Sequence, residues 1–250
     1  MKTRILSVGI MVLVGATGRV APAAELKPEQ IIEKAIRAHG GEERLTGLQG
    51  FLFKERAIYS NAATWEFEAA VQLPDRYRSE RKMISGGKST TSLTVINGDQ
   101  GWFKSNDVVT PYPSAFQESM KKYTLPYEGP RSILRLRARQ KNPTCQFTTI
   151  GEETVEGRPA VGLRMKLVGG PEETWFFALD SGLLLKTESR TKRFEGEDQV
   201  YVTLYEDYQN YNGFPMARKM ISSVDGKNMT TTEYIDFKAV TPSESTFARP

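Results

Sequence analysis

The chain has 250 residues, 39% hydrophobic and 10% aromatic, with a single histidine and a single cysteine, which fits one globular domain with a sizeable core. Its formal net charge is +4, but three of its 34 basic side chains (Lys2, Arg4 and Arg19) lie in the first 23 residues, where no acidic one occurs; the rest nearly balance the 30 acidic side chains. That balance excludes nucleic acid as the expected partner, since phosphate binding needs a basic excess on one face.

Lys2 and Arg4 precede an apolar run from Ile5 to Val14, and Ala21-Pro22-Ala23 supplies small residues for cleavage. This is the pattern of a secretory signal peptide over residues 1–23, cut near Ala23. A helix of such a run spans about 15 Å, roughly half of a hydrocarbon core, so it is too short to be a membrane anchor. No Pro/Gly/Ser-rich linker divides residues 24–250, and one domain is expected there. Exported proteins can form disulfides, but Cys145 has no partner in the chain, so the core alone must hold the fold.

Pro28 followed by Ile31, Ile32, Ala35 and Ile36, then Gly40-Gly41, predicts one amphipathic helix of about three turns. Leu45 and Leu48 belong to a short helical turn after it. From Phe51 the period changes to two: Trp65, Phe67, Ala69, Val71 and Leu73 alternate with polar residues, predicting a strand with one buried face. Further strands are expected at 76–84, 89–96, 147–155, 160–167, 174–179, 183–191, 199–207, 216–224 and 229–240. Short turns such as Gly86-Gly87, Asn97-Gly98, Glu156-Gly157 and Asp225-Gly226 separate them, so the strands are antiparallel neighbours. Between Pro111 and Gln140 the pattern breaks. Phe116, Met120 and Tyr123 fall at helical spacing, and Pro130 opens a second segment with Ile133, Leu134, Leu136 and Ala138. The expected fold is mainly β with α: a single curved antiparallel sheet with an N-terminal helix and two short helices between strands.

Catalytic signatures are sparse. Gly86-Gly87-Lys88-Ser89-Thr90 lacks the upstream glycine of a phosphate loop and reads as a hairpin turn. One His and one Cys do not make a usual zinc site, and neither metal nor cofactor is expected. A Ser-His-acid triad or a Cys-His pair would have to rest on His39, which sits where a helix should end. Adjacent acids such as Glu152-Glu153 and Glu206-Asp207 point to opposite faces of their strands and do not converge. No catalytic residues are assigned.

A curved sheet has a concave face, and apolar residues there either enclose a cavity or pack on the helices. Trp65, Phe67, Val71, Leu93, Val95, Trp175, Phe177, Val200 and Val202 are the candidates for that face. Three segments then carry a resemblance: the helix ending in Ala38-His39-Gly40-Gly41, the stretch Val71-Gln72-Leu73-Pro74-Asp75-Arg76-Tyr77-Arg78, and Val95-Ile96-Asn97-Gly98-Asp99-Gln100-Gly101-Trp102. In order and spacing the chain resembles the LolA-like family of outer-membrane lipoprotein-sorting proteins. The resemblance implies an incomplete barrel with a helical lid over 116–138, in which Phe116, Met120, Ile133, Leu134 and Leu136 cover a lipid-binding cavity lined by the concave residues. It also implies a periplasmic carrier of lipoprotein acyl chains or other lipids, with transfer partners at the inner and outer membranes. The family's carriers have an arginine before the strand-end proline that helps latch the lid. This chain has Leu73 there, with Arg76 or Arg78 as possible substitutes.

Arg131, Arg135 and Arg139 lie four apart on the second lid segment and share one face. They read either as a solvated stripe or as contacts for anionic head groups or an acidic partner during transient membrane contact. Three functional readings follow: a lipid carrier without chemistry, a sensor or interaction module that never shuttles cargo, and a hydrolase with a carboxylate site assembled from distant residues.

Overall fold

The computed structural model describes residues 26–170, 172–192 and 198–250. The signal-peptide expectation for 1–23 lies outside them. Helix α1 (Pro28–Ala38) starts on a proline and buries Ile31, Ile32, Ala35 and Ile36, as their spacing requires. It stops where Gly40 takes φ 115°, a conformation suited to glycine. Helix α2 (Glu42–Gly47) follows and buries Leu45.

Thirteen strands form one antiparallel sheet among the described residues. They are β1 (Gly50–Tyr59), β2 (Thr64–Gln72), β3 (Arg76–Ser85), β4 (Lys88–Asn97), β5 (Gln100–Ser105), β6 (Val108–Pro111), β7 (Cys145–Val155), β8 (Arg158–Leu167), β9 (Glu172–Ala178), β10 (Leu184–Lys192), β11 (Asp198–Tyr211), β12 (Phe214–Val224) and β13 (Lys227–Ala239). Each strand pairs with its sequence neighbours, except that β1 and β13 meet in the middle, so β6 and β7 are the two outer edges. Two meanders are thus joined through the first and last strands. Irregular register at Lys54/Glu55, Thr149/Gly151, Leu184/Lys186 and Ser222/Ser223 adds local twist and bend. The β5–β6 hairpin escapes the alternation rule; its turn is made by Asn106 and Asp107, both at positive φ.

Residues 113–141 run from edge β6 to edge β7 as helix α3 (Ser114–Ser119), a wider turn at Met120–Thr124, two tight helical turns at Leu125–Tyr127 and Gly129–Ile133, and helix α4 (Leu134–Gln140). The expected second helix therefore begins as a tight turn after Pro130 and becomes α-helical only at Leu134. The main core lies between this crossing and the sheet. In it α1, Leu45, Leu125, Ile133, Leu134 and Leu136 pack on Phe51, Phe53, Val71, Leu163, Phe177 and Phe237.

Candidate functional site: the lid and the concave face

Residues paired in register share a face, and this sorts the predicted lining. Trp65, Phe67 and Val71 stand opposite Met83, Arg81 and Tyr77 on β3 and, with Trp175 and Phe177, belong to the inner face. Val71 and Phe177 are fully buried in the core, with Trp175 beside Phe177 at 6.3 Å between ring centres. Trp65 and Phe67 lie on the more open part of the floor, where the Arg81 guanidinium sits 5.2 Å from the Phe67 ring centre and 5.9 Å from that of Trp65. Leu93, Val95, Val200 and Val202 are corrections. Leu93 and Val95 pack on the outer face with Ala70 and Phe247, the latter on a C-terminal turn that crosses those strands. On β4 it is Ile96 that points inward. Val200 and Val202 pair with Arg190 and Glu188 in the outward phase of β11, while Tyr201 and Thr203 pair with the inward Ser189 and Thr187. The outer face of β4 is covered by the C-terminal turn, which produces the same alternation as a covered inner one.

The lid residues divide as well. Ile133, Leu134 and Leu136 are buried in the core and Met120 is half-buried against it. Phe116 is a correction: it is 62% exposed and faces outward, because the neighbouring Gln117 takes the buried position and donates to the Tyr112 carbonyl at 2.6 Å.

The arginines do not form a free stripe. Arg131 donates from Nη1 to the carbonyls of Leu45 (2.5 Å), Thr46 (3.2 Å) and Leu48 (3.2 Å) at the end of α2, and from Nε to Pro126. Cationic hydrogen bonds to a helix's last carbonyls are favourable on two counts, satisfaction and dipole. Arg139 binds Glu173 on β9 at 2.5 Å, and Arg137 bridges Glu33 of α1 (2.8 Å) and Glu42 of α2 (3.0 Å). Burial pushes the Glu173 carboxyl up, yet Arg139 and the Trp175 indole N–H hold it below the ordinary range. At the other end Lys121 reaches the Gly98 carbonyl and Asp99. The lid is thus latched by its own cations. Leu73 packs against the core, while Arg76 pairs with Glu244 and Arg78 with Glu80, so neither substitutes for the family's latch.

Sequence reasoning missed the charged centre beneath the lid. Glu55 falls in the inward phase of β1, opposite Phe67, and takes a hydrogen bond from Tyr234. Glu128 sits at the innermost turn of the lid, beside Gly129, whose position is so close to the floor that an added Cβ would stand 3.3 Å from the Phe51 ring. Burial, reinforced by the Glu55 charge, pushes the Glu128 carboxyl up to about 7, against the opposing pull of Arg135 and Arg81. Burial likewise raises Glu55. The readable signal was a carboxylate two residues past Phe53 in the buried phase. His39 donates no such chemistry: its Nδ1 is 2.8 Å from the Ala35 carbonyl, and burial lowers its pKa. Cys145 lies on β7 at the lid's end, where burial raises the thiol. Glu206 and Asp207 are paired with Lys219 and Arg218.

Beside the lid, a cavity of about 380 Å³ opens between α4 and the β7–β8 side of the sheet, lined by Tyr123, Tyr127, Arg135, Ala138, Arg139, Asn142 and Leu167. That is within the range of small-molecule sites. Directly between lid and floor there is less room, about 70 Å³ near Tyr205, Met220 and Tyr234, and a further cavity of about 80 Å³ lies between α1 and Phe177. A chain-like ligand would need the lid to lift. An outer-face hollow of about 330 Å³ is lined by Lys54, Glu68, Arg78, Glu80, Asp236 and Lys238, whose ion pairs make it a poor apolar site.

No family model matches the sequence, and no curated protein matches it. Solved structures do. A domain from Vibrio parahaemolyticus, described as an outer membrane lipoprotein-sorting protein domain, superposes with a TM-score of 0.55 at 14% identity over 88% of this chain and 97% of that one. A LolA superfamily protein from Nitrosomonas europaea gives 0.53 at 11% identity, covering 89% and 98%. A DUF1329 family protein from Desulfovibrio piger gives 0.53 at 12%, covering 88% and 96%. These likenesses show the fold: the chain has the open, curved, lid-covered sheet of LolA-type domains.

Proposed function

We propose that this protein is a periplasmic carrier that holds the acyl chains of lipoproteins, or of other lipids, between the curved sheet and its lid for transfer towards the outer membrane. The observation that carries the reading is the lid itself. It crosses the concave face from one sheet edge to the other, is fixed by reversible contacts from Arg131, Arg137 and Arg139, and ends at an open cavity walled by Tyr123, Tyr127 and Leu167. Lifting it would expose Leu134, Leu136, Trp175 and Phe177, which are apolar and continuous with that cavity. The fold shared with a structure described as lipoprotein-sorting supports the same reading, as does the signal-peptide pattern of residues 1–23. Among the described residues no helix is long and apolar enough to cross a membrane. Binding and release need no bond chemistry, so the carrier is not an enzyme.

The test is to express the full precursor, purify the exported protein gently and extract it for lipid mass spectrometry, then measure transfer between two membrane populations. Stoichiometric lipid together with transfer supports the carrier. A second reading, a non-shuttling sensor or interaction module, is favoured by the small void between lid and floor. It predicts a protein that carries no lipid and transfers none.

A further inference from the structure

The first part of the lid carries two exposed aromatic rings. Phe116, in α3, is 62% exposed, and Tyr123, in the wider turn that follows it, is 60% exposed. Tyr123 also lines the open cavity. On the opposite wall stands Leu167, and the next residue, Val168 in the β8–β9 turn, is 74% exposed. Tyr123, Leu167 and the adjoining Val168 gather at one cavity mouth, with Phe116 seven residues earlier on the same lid segment, and a grouping of this kind marks a contact surface where singly scattered apolar residues do not.

The charges at this mouth are cationic. The Lys122 ammonium lies 5.1 Å from the Tyr123 ring centre and is exposed. Arg135 lines the cavity wall and stacks on Tyr127 at 5.7 Å, and among the described residues it makes no ion pair. The β9 carboxylate Glu173 is already held by Arg139. Glu118, the exposed acid of α3, is two residues from Phe116 and so points to another flank. Exposed aromatic rings beside unpaired cations suit one environment in particular, the interface of a bilayer with anionic lipid, where rings settle at head-group depth and Lys or Arg meet phosphates.

We propose that the mouth of the lid cavity docks on an anionic lipid bilayer, with Phe116, Tyr123 and Val168 entering the interface and Lys122 and Arg135 meeting lipid phosphates. Of the Arg131, Arg135 and Arg139 stripe this surface takes only Arg135, because Arg131 and Arg139 are used to latch the lid. The inference rests on the carrier reading for its purpose: docking there lets an acyl chain pass between membrane and cavity without crossing water.

The experiment is flotation of the purified protein with vesicles of phosphatidylcholine alone and of phosphatidylcholine mixed with phosphatidylglycerol. The protein should float with the mixed vesicles only, and less so as salt is raised. The double variant Phe116→Ser/Tyr123→Ser should lower partition by about tenfold or more, since two exposed rings lose their burial in the interface. Val168→Ser should weaken it by a smaller factor, and circular dichroism should be unchanged in both because the residues are exposed. Failure of the wild type to float with anionic vesicles overturns the proposal, as does a double variant that floats like the wild type. Loss of a dimer in the double variant, with no vesicle binding by either protein, would give this face to a second copy of the chain instead. Uptake of a fluorescent fatty acid separates the two ideas: a protein that loads fatty acid but ignores vesicles sinks the docking surface alone, and one that loads none sinks the carrier reading.

Discussion

Replacing Glu128 by glutamine should make the protein more stable at mildly alkaline pH and change little in acid. The Glu128 carboxyl moves from an ordinary 4.5 in the unfolded chain to about 7 in the folded one, with burial the largest cause and the Glu55 charge the next. The folded state therefore holds its proton more tightly than the unfolded state, and the contribution of Glu128 to stability is greatest below 4.5 and declines as pH rises towards 7. At about 1.4 kcal/mol per pH unit, ionising Glu128 removes on the order of 3 kcal/mol of stability across that window. Glu55, also raised by burial, acts in the same direction. Glutamine keeps the shape and cannot ionise, so Glu128→Gln should flatten the decline and exceed the wild type by about 2–3 kcal/mol near pH 8. Urea unfolding at a series of pH values measures this directly, provided the slopes of the two proteins agree. His39, whose pKa burial lowers, pulls the wild type the other way over part of the window, so the comparison decides: a variant that declines in parallel with the wild type would refute the reasoning. The loss falls on the lid, because Glu128 lies at its innermost turn, so the same ionisation should increase amide exchange over 125–140.

Three further outcomes follow from the contacts. Arg131→Ala removes the donors that close the α2 carbonyls and should cost about 2 kcal/mol, read as faster exchange of the lid with little change in the strands; an unchanged lid would contradict the latch. Gly129→Ala puts a Cβ on a residue at φ 55° and 3.3 Å from the Phe51 ring, so it should destabilise by about 1–2 kcal/mol in chemical unfolding, whereas an alanine with wild-type stability would mean the turn can shift off the floor. Val202→Ser, on the outer face, should leave fatty-acid affinity unchanged, while Trp175→Ala on the inner face should reduce it at least tenfold; equal effects would reverse the assignment of faces.

Alternation revealed the strands but not their orientation. Val95 and Ile96 are both fully buried, because β4 is covered by the core on one side and by Phe247 on the other. From sequence, Leu93 and Val95 are indistinguishable from an inward pair. On β11 the inward side chains before the bend are Tyr201, Thr203 and Tyr205, and hydroxyl groups do not mark a core. Asp207, at φ 51°, then shifts the phase so that Tyr208 also turns inward to the Leu184 carbonyl. No composition rule locates such a break. The N-terminal helix was legible because its apolar spacing and its proline and glycine ends all agree. The lid arginines were legible as a cluster only, since whether a cation meets water, lipid or a carbonyl depends on partners such as Leu45 and Glu173 that are distant in the chain.

The most direct measurement for the central claim is photo-crosslinking with a fatty acid that carries a diazirine along its chain, followed by peptide mass spectrometry. Cargo held between lid and floor predicts adducts on Tyr123, Tyr127, Leu136, Leu167, Trp175 or Phe177, competed away by unlabelled fatty acid. Adducts confined to the outer face at Leu93, Val95 or Val202, or none above competition, would contradict it.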